Sequence, residues 1–369
     1  MNPEEQLCPN RRCSASGKVG ADNIVIHSKE ERRYKCKCCG KTFSETKDTA
    51  FYRLKKGHDL FVLVVTLMAY GCPVQAVVAA FGLDERTVGE WLRRAGRHCQ
   101  GVHERTVGQS QLDLEQVQAD EIKVKTQAGS FWMALALMVG TRLWLAGVVG
   151  KRRDFDLIAA LMAQVRALAL CRPLLVAVDG FSTYVKAVRR AFRSPLHAGL
   201  IGRPHLFTWP QVAIVQVVKR RTEEALSIER RIVQGSTDLV SRLLARSQGG
   251  GGINTAYIER FNATFRQRLA WLGRRSRALA RTPITLECGM YLSGCVYNFC
   301  SYHKSLRLSL LVGSHGRRHW VQRTPALAAG LTDHSWSVAE LLWFKLSPPP
   351  YAAPKRRGRP PKQAQLAAP

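Results

Sequence analysis

The sequence predicts a multidomain α/β protein: a small cysteine-rich module, a helical segment, then a larger domain built on a mixed sheet. Three observations predict it. Five of the eleven cysteines crowd into residues 8–39. Residues 54–98 are apolar at helical spacing and broken by Gly and Pro. From residue 112 the pattern becomes three strands in succession, then alternating helix and strand. The 369 residues suffice for two or three domains. The boundaries fall at 1–50, 51–111, 112–310, 311–346 and 347–369.

The first module reads as a zinc ribbon. "CPNRRC" supplies Cys8 and Cys13, and "YKCKCCGKTF" supplies Cys36 and Cys39. Two such knuckles can place four thiolates tetrahedrally around Zn²⁺. "NIVIH" and "RRYKC" supply strands, and Gly40 suits the tight turn after the last ligand. Cys38 is a spare, expected to point away, that could also substitute as a ligand. Cys72, Cys99, Cys171, Cys288, Cys295 and Cys300 lie in apolar or mixed stretches and read as inert buried thiols.

Residues 54–98 form helices. "HDLFVLVVTLMAYG" is followed by "PVQAVVAAFG" and "LDERTVGEWLRRAGRHC". Gly82 ends one helix and Asp84 caps the next. A short helix, a turn and a helix bearing Arg86, Arg93 and Arg94 match a helix-turn-helix; an ordinary helical hairpin fits the same residues.

Residues 112–310 follow in order. "LEQVQADEIKVKT" alternates as a strand, and "SFWMALALMV" and "RLWLAGVVG" form a hairpin. "DFDLIAALMAQVRALAL" is a helix opened by Asp154 or Asp156. "PLLVAVDGF" is a buried strand ending in Asp179, and "STYVKAVRRAF" is the helix after it. "QVAIVQVVKRR" is a strand and "LVSRLLARS" a helix, and the helix starting in "NTAYIERF" follows a glycine loop. This β-β-β-α-β-α-β-α order matches a ribonuclease H-like domain, with helices on both sheet faces. Residues 311–346 form a compact segment ending in a helix.

The charge narrows the partners. Against 27 Asp+Glu stand 56 Lys+Arg, a net charge of +29. This implies a polyanionic partner, nucleic acid first. No basic amphipathic helix or lipidation signal favours a membrane surface. The apolar run 60–83 is broken by Gly71 and Pro73, and 130–149 by Arg142, so neither reads as a membrane span. A cytoplasmic protein, associated with the nucleoid when bound to DNA, is expected.

Three carboxylates carry the chemistry. Asp120 lies within the first strand of the large domain, Asp179 ends the fourth, and Glu259 sits in the last helix. The expected topology makes the first and fourth strands neighbours, so these acids converge. Oxygen ligands suit Mg²⁺ or Mn²⁺, and two such ions can hold the attacking and leaving oxygens of one phosphodiester. Ile258, Phe261, Phe265, Leu269 and Leu272 form the buried stripe of the Glu259 helix. Asn262 and Arg266 share a row with Glu259, and His303 is a further candidate helper. Glu121 points to the other face of its strand. Glu223, Glu224 and Glu229 read as surface pairs.

These residues resemble bacterial insertion-sequence transposases of the DDE type, in the group with an N-terminal zinc ribbon typified by insertion element one. The resemblance runs from "CPNRRC" and "YKCKCCGKTFS" through "VQADE", "VAVDGF" and "INTAYIERFNATFRQRLAWLGRRSRALAR" to "YNFCSYHKSLR" and "QRTPALAAGLTDH". It implies a helix-turn-helix for terminal inverted repeats. It also implies a ribonuclease H-like catalytic domain and Mg²⁺-dependent transposition by a homo-oligomer on double-stranded element ends and target DNA. Its acidic triad falls on Asp120, Asp179 and Glu259. The x4 first knuckle and the C-terminal tail depart from the family. The tail, "PKRRGRPPK", resembles an AT-hook: Arg357 and Arg359 around Gly358 can lie in a narrow A·T minor groove. A general basic tail fits the same residues. Two alternatives share the expected fold: a DNA-binding regulator without catalysis, and a structure-specific nuclease.

Overall fold

The computed structural model describes residues 1–196, 205–221, 226–273, 279–312 and 317–348. Arg357 and Arg359, and likewise Glu223 and Glu224, lie outside the described residues. The chain divides into two compact units, Met1–Asp48 with the segment from Lys345, and Thr49–Phe344.

The first unit is a three-stranded antiparallel sheet of β1 (Ile24–Ser28), β2 (Arg33–Cys36) and β3 (Thr42–Ser44). β3 is not visible in the sequence, because three residues are too few to show alternation. Tyr34 and Phe43 stack with ring centroids 5.9 Å apart, over Ile24, Cys8 and Cys36. Lys345 returns to this unit and donates to the Glu45 carbonyl at 2.7 Å. That return moves the end of the expected 311–346 segment into the cysteine module.

The second unit opens with α1 (His58–Ala69), α2 (Val74–Phe81) and α3 (Glu85–Thr106). Gly82 takes the left-handed conformation that ends α2, with φ at 58°. Asp84 caps α3 by accepting from the Arg86 N–H at 2.8 Å. The three helices do not stand apart as a separate domain. Val88, Trp91, Ala95, Cys99 and Val102 are buried along α3, and Gly96 lies directly against Cys288.

Next come β4 (Gln116–Thr126), β5 (Gly129–Met138), β6 (Trp144–Gly150), α4 (Phe155–Leu168), β7 (Leu174–Asp179) and α5 (Ser182–Ala191). A separate strand pair, β8 (Arg193–Leu196) with β9 (His205–Thr208), precedes β10 (Val212–Arg221) and β11 (Leu226–Gln234). α6 (Thr237–Gln248), α7 (Ala256–Arg268) and α8 (Pro283–Cys295) follow. The strand pair β12 (Leu308–Val312) and β13 (Arg317–Val321), α9 (Pro325–Ala328) and α10 (Val338–Trp343) complete the unit.

The large sheet is six-stranded and mixed, in the order β11-β10-β7-β4-β5-β6. β4 and β7 are parallel neighbours, with Gln118 opposite Ala177. The strands expected from sequence end at β10. β11 escapes that reading because "LSIERRIVQ" packs charged residues into a strand on the sheet edge, where burial demands little. Its Glu229 pairs with Arg220 at 3.6 Å, as a surface acid should.

Residues alternate between the two faces. Ile122 and Val124 of β4 join Ile258, Phe261 and Phe265 of α7 and Leu286 and Met290 of α8 in one core. Leu175 and Ala177 of β7 pack with Leu239, Leu243 and Leu244 of α6 on the same face. α4 and α5 cover the opposite face.

α8 continues into a π-helical turn, Val296–Cys300. That turn aims the buried Asn298 amide at edge strand β6. Its Oδ1 accepts from the Trp144 N–H and its Nδ2 donates to the Trp144 carbonyl, both at 2.9 Å. A buried strand edge is thereby satisfied by one side chain. Among the described residues no helix is long and apolar enough to cross a membrane.

Candidate active site

The parallel pairing of β4 and β7 decides the geometry. Gln118 is level with Ala177, so two residues further on Asp120 stands beside Asp179 at the tip of β7. One ligand oxygen from each of Asp120, Glu121 and Asp179 lies within 4.8 Å of the others.

Each acid is held differently. Asp120 Oδ2 accepts from Asn262 Nδ2 at 2.8 Å, and Oδ1 from the Glu121 N–H at 2.9 Å. Asp179 Oδ1 accepts from the Phe181 N–H, and Oδ2 pairs with Arg153, both at 3.0 Å. Glu121 Oε1 pairs with the Arg153 guanidinium, and Oε2 accepts from Tyr184 Oη at 2.7 Å. Arg153 also lies over the Phe181 ring, 4.2 Å from its centroid. It therefore ties Glu121 and Asp179 together.

Glu121 corrects the sequence reading. It does face away from Asp120, as alternation requires. Because β7 ends at Asp179, however, no further strand residue separates the two faces, and Glu121 joins the cluster. Glu259 is more distant from that trio. Its Oε1 is held by Lys219 Nζ at 2.5 Å and by Thr255 Oγ1 at 2.7 Å. It still lies close enough to act on Asp120 electrostatically.

Electrostatics mark Asp120. Burial, then the charge of Glu121, pushes its carboxyl up to about 7, and Asp179 and Glu259 add to the rise against the Glu121 N–H. Burial also raises Glu121, against the Tyr184 hydrogen bond and Arg153. For Glu259 burial acts upward too, but Lys219 and Thr255 outweigh it and hold the carboxyl low.

α7 is seated by Gln118, a residue that sequence reasoning does not single out. Gln118 is fully buried. Its Oε1 accepts from the N–H groups of Tyr257 and Ile258, both at 3.0 Å, and its Nε2 donates to the Asn254 carbonyl at 2.8 Å. It thus satisfies orphan donors at the start of α7 and sets Asn262 opposite Asp120. The available signal was its place two residues before Asp120, on the same strand face. α7 itself stops at Arg268, so Leu269 and Leu272 extend its stripe from a cap and a 3-10 turn, both buried.

The remaining candidates scatter. Arg266 follows Asn262 by one turn on the same row. His303 packs edge-on against Tyr297 at 4.7 Å, beside Arg142 and Arg268, and not with the carboxylates. Arg86 is exposed and Arg93 pairs with Glu90 at 2.8 Å. Arg94 is half-buried and donates to the Tyr52 carbonyl at 2.6 Å. Cys171 is exposed rather than buried.

In the first unit the sulfurs of Cys8, Cys13, Cys36 and Cys39 all lie within 4.8 Å of one another. Cys8 and Cys39 are 3.7 Å apart, and Cys13 and Cys36 3.9 Å. Four sulfurs about 2.3 Å from one tetrahedral ion would stand about 3.8 Å apart. Burial works upward on the Cys36 thiol, but backbone donors at Cys39 and Cys38 and the Asn23 amide bring it down to about 6. The donor set fits Zn²⁺. Cys38 is exposed and outside the cluster.

No known protein-family model matches this chain, and no curated protein matches it.

The carboxylate trio fits a hard divalent cation by its chemistry. It offers oxygens only, crowded enough to raise Asp120. Beside it, Asn262 Oδ1 is buried with no hydrogen-bond partner among the described residues.

Proposed function

We propose that this chain is a DDE-type DNA transposase. It would bind terminal inverted repeats of an insertion element, cut a strand at the element end and join it to target DNA as a homo-oligomer. The observation that carries this reading is the meeting of Asp120 and Asp179 across two parallel strands, with Glu259 of α7 close enough to act on Asp120 electrostatically. The +29 charge supports a DNA substrate.

In this reading Asp120 and Asp179 hold Mg²⁺ or Mn²⁺, with Glu259 as third acid. The bound ions would supply Lewis acidity and an activated water or hydroxyl at phosphorus. Asn262 orients the Asp120 carboxylate. Arg153 and Tyr184 fix Glu121, and Arg153 also pairs with Asp179. The zinc ribbon and α1–α3 would bind the element ends, with Arg86 and Arg93 as their contacts, and the tail with Arg357 and Arg359 would add basic contacts.

One observation favours a second reading, a DNA-binding regulator without catalysis: Glu259 is engaged by Lys219, and Glu121 by Arg153 and Tyr184. A labelled duplex carrying the inverted repeats that flank the reading frame separates the two. Mg²⁺-dependent nicking and joining are expected of the chain. Asp179→Asn should bind the duplex as before and lose both reactions. Undiminished joining by that variant would sink the assignment.

A further inference from the structure

α7 has two differently furnished flanks. One carries Glu259, Asn262 and Arg266. At 3.6 residues per turn, Arg260, Tyr257 and Arg268 lie roughly 100–180° round the helix from Glu259. There they meet Arg142, Tyr297 and His303. The Arg142 guanidinium lies over the Tyr257 ring, 4.0 Å from its centroid, and donates to the Val139 carbonyl. Arg268 donates to Ser301 Oγ at 2.8 Å and to the Ser293 carbonyl at 3.3 Å.

No carboxylate pairs with Arg142, Arg260 or Arg268 among the described residues; the partners of Arg142 and Arg268 are aromatic faces, a hydroxyl and carbonyls. Burial lowers Arg142 and Arg268, and Arg260 lowers Arg142 further. His303 is pushed down to about 4, by burial first and then by Arg142 and Arg268. Arg142 moreover sits at φ 62°, a left-handed backbone that costs a non-glycine residue energy. Partly buried cations without a counter-charge are expensive, and a strained turn that aims one of them at the cluster adds to that cost. An anionic ligand would offset both.

We propose that Arg142, Arg260, Arg268 and His303 form a phosphate-binding flank that takes the backbone of a DNA strand, across α7 from the carboxylates. Arg260 and Arg268 are eight residues apart, about 12 Å along the helix axis. That spans three to four base steps of about 3.4 Å. A polymeric phosphate chain matches this spacing, and a single free anion does not. The choice of DNA rests on the proposed function; the cation cluster does not.

The test is fluorescence anisotropy of a labelled duplex with the full chain, without Mg²⁺, across a series of NaCl concentrations. Arg260 is exposed, so Arg260→Gln should keep the fold, checked by circular dichroism. The slope of log affinity against log salt should fall by roughly 0.9 for each phosphate that the variant no longer neutralises. Arg260→Lys should restore it, and Arg242→Gln, on the exposed face of α6, should leave it unchanged. An unaltered slope in Arg260→Gln, or an equal fall in Arg242→Gln, overturns the proposal. Because no strand is cut, the result is independent of whether Asp179→Asn abolishes joining.

Discussion

Asn262 Nδ2 donates to Asp120 Oδ2 at 2.8 Å, tying α7 to β4 at the acid itself. The bond spans 142 residues of chain and is buried on the Asn262 side. Asn262→Ala should leave the carboxylate free to rotate. Mn²⁺ affinity, measured by calorimetry, is expected to fall about 10–100-fold, as for other partners that orient a ligand. Unchanged affinity in a folded variant would remove Asn262 from the site.

The cysteine module should carry one zinc per chain, measured by atomic emission. Cys8→Ser and Cys39→Ser should lose the metal, because each removes one of four thiolates. Cys38→Ser should retain it. Equal loss in Cys38→Ser would mean that the ligand set is drawn wrongly.

Two buried histidines set an acid limit on stability. Burial lowers His98 and His103 to about 4, with His98 Nε2 3.1 Å from the Leu341 carbonyl and the His103 ring tilted against Trp144, centroids 4.3 Å apart. Unfolded histidine titrates near 6.5, so the unfolded chain takes up these protons first. The contribution is therefore full above about pH 6.5 and is lost as pH falls toward 4, by about 3 kcal/mol per histidine at most. Urea titrations at several pH values should show this decline, and His103→Phe should flatten it.

α3 carries an internal control. A Cβ at Gly96 would stand 2.4 Å from the Cys288 Cβ and carbonyl oxygen, whereas one at Gly89 meets nothing within 4 Å. Gly96→Ala should destabilise by about 1–3 kcal/mol through overpacking. Gly89→Ala should stabilise by about 0.5–1 kcal/mol through helix propensity. Melting temperatures moving the same way in both variants would contradict the packing of α3 on α8.

Much of the fold was legible locally. Asp84 before "ERTVGEW" marked one helix start and Asp154 or Asp156 in "DFDLIAAL" another; Asp84 and Asp154 accept the capping bonds. The alternation of "QVQADEIKVKT" separated Asp120 from Glu121 by face. β3, β8, β9 and β11–β13 escaped because they are short or lie away from the main core, where apolar periodicity is weak.

By itself the sequence determined the element types, the two cysteine knuckles, the cationic balance and the stripe of α7, because each depends on neighbours a few residues apart. Tertiary structure alone decided which acids meet. Glu121 enters the cluster because β7 ends one residue short of its level, at Asp179 beside Asp120. Glu259 is drawn to Lys219, which the pairing of β10 with β7 and β11 sets in place. His303 and Arg142 fall on the far flank of α7. These outcomes depend on strand register and on which partner satisfies each buried charge, and neither is written in local periodicity.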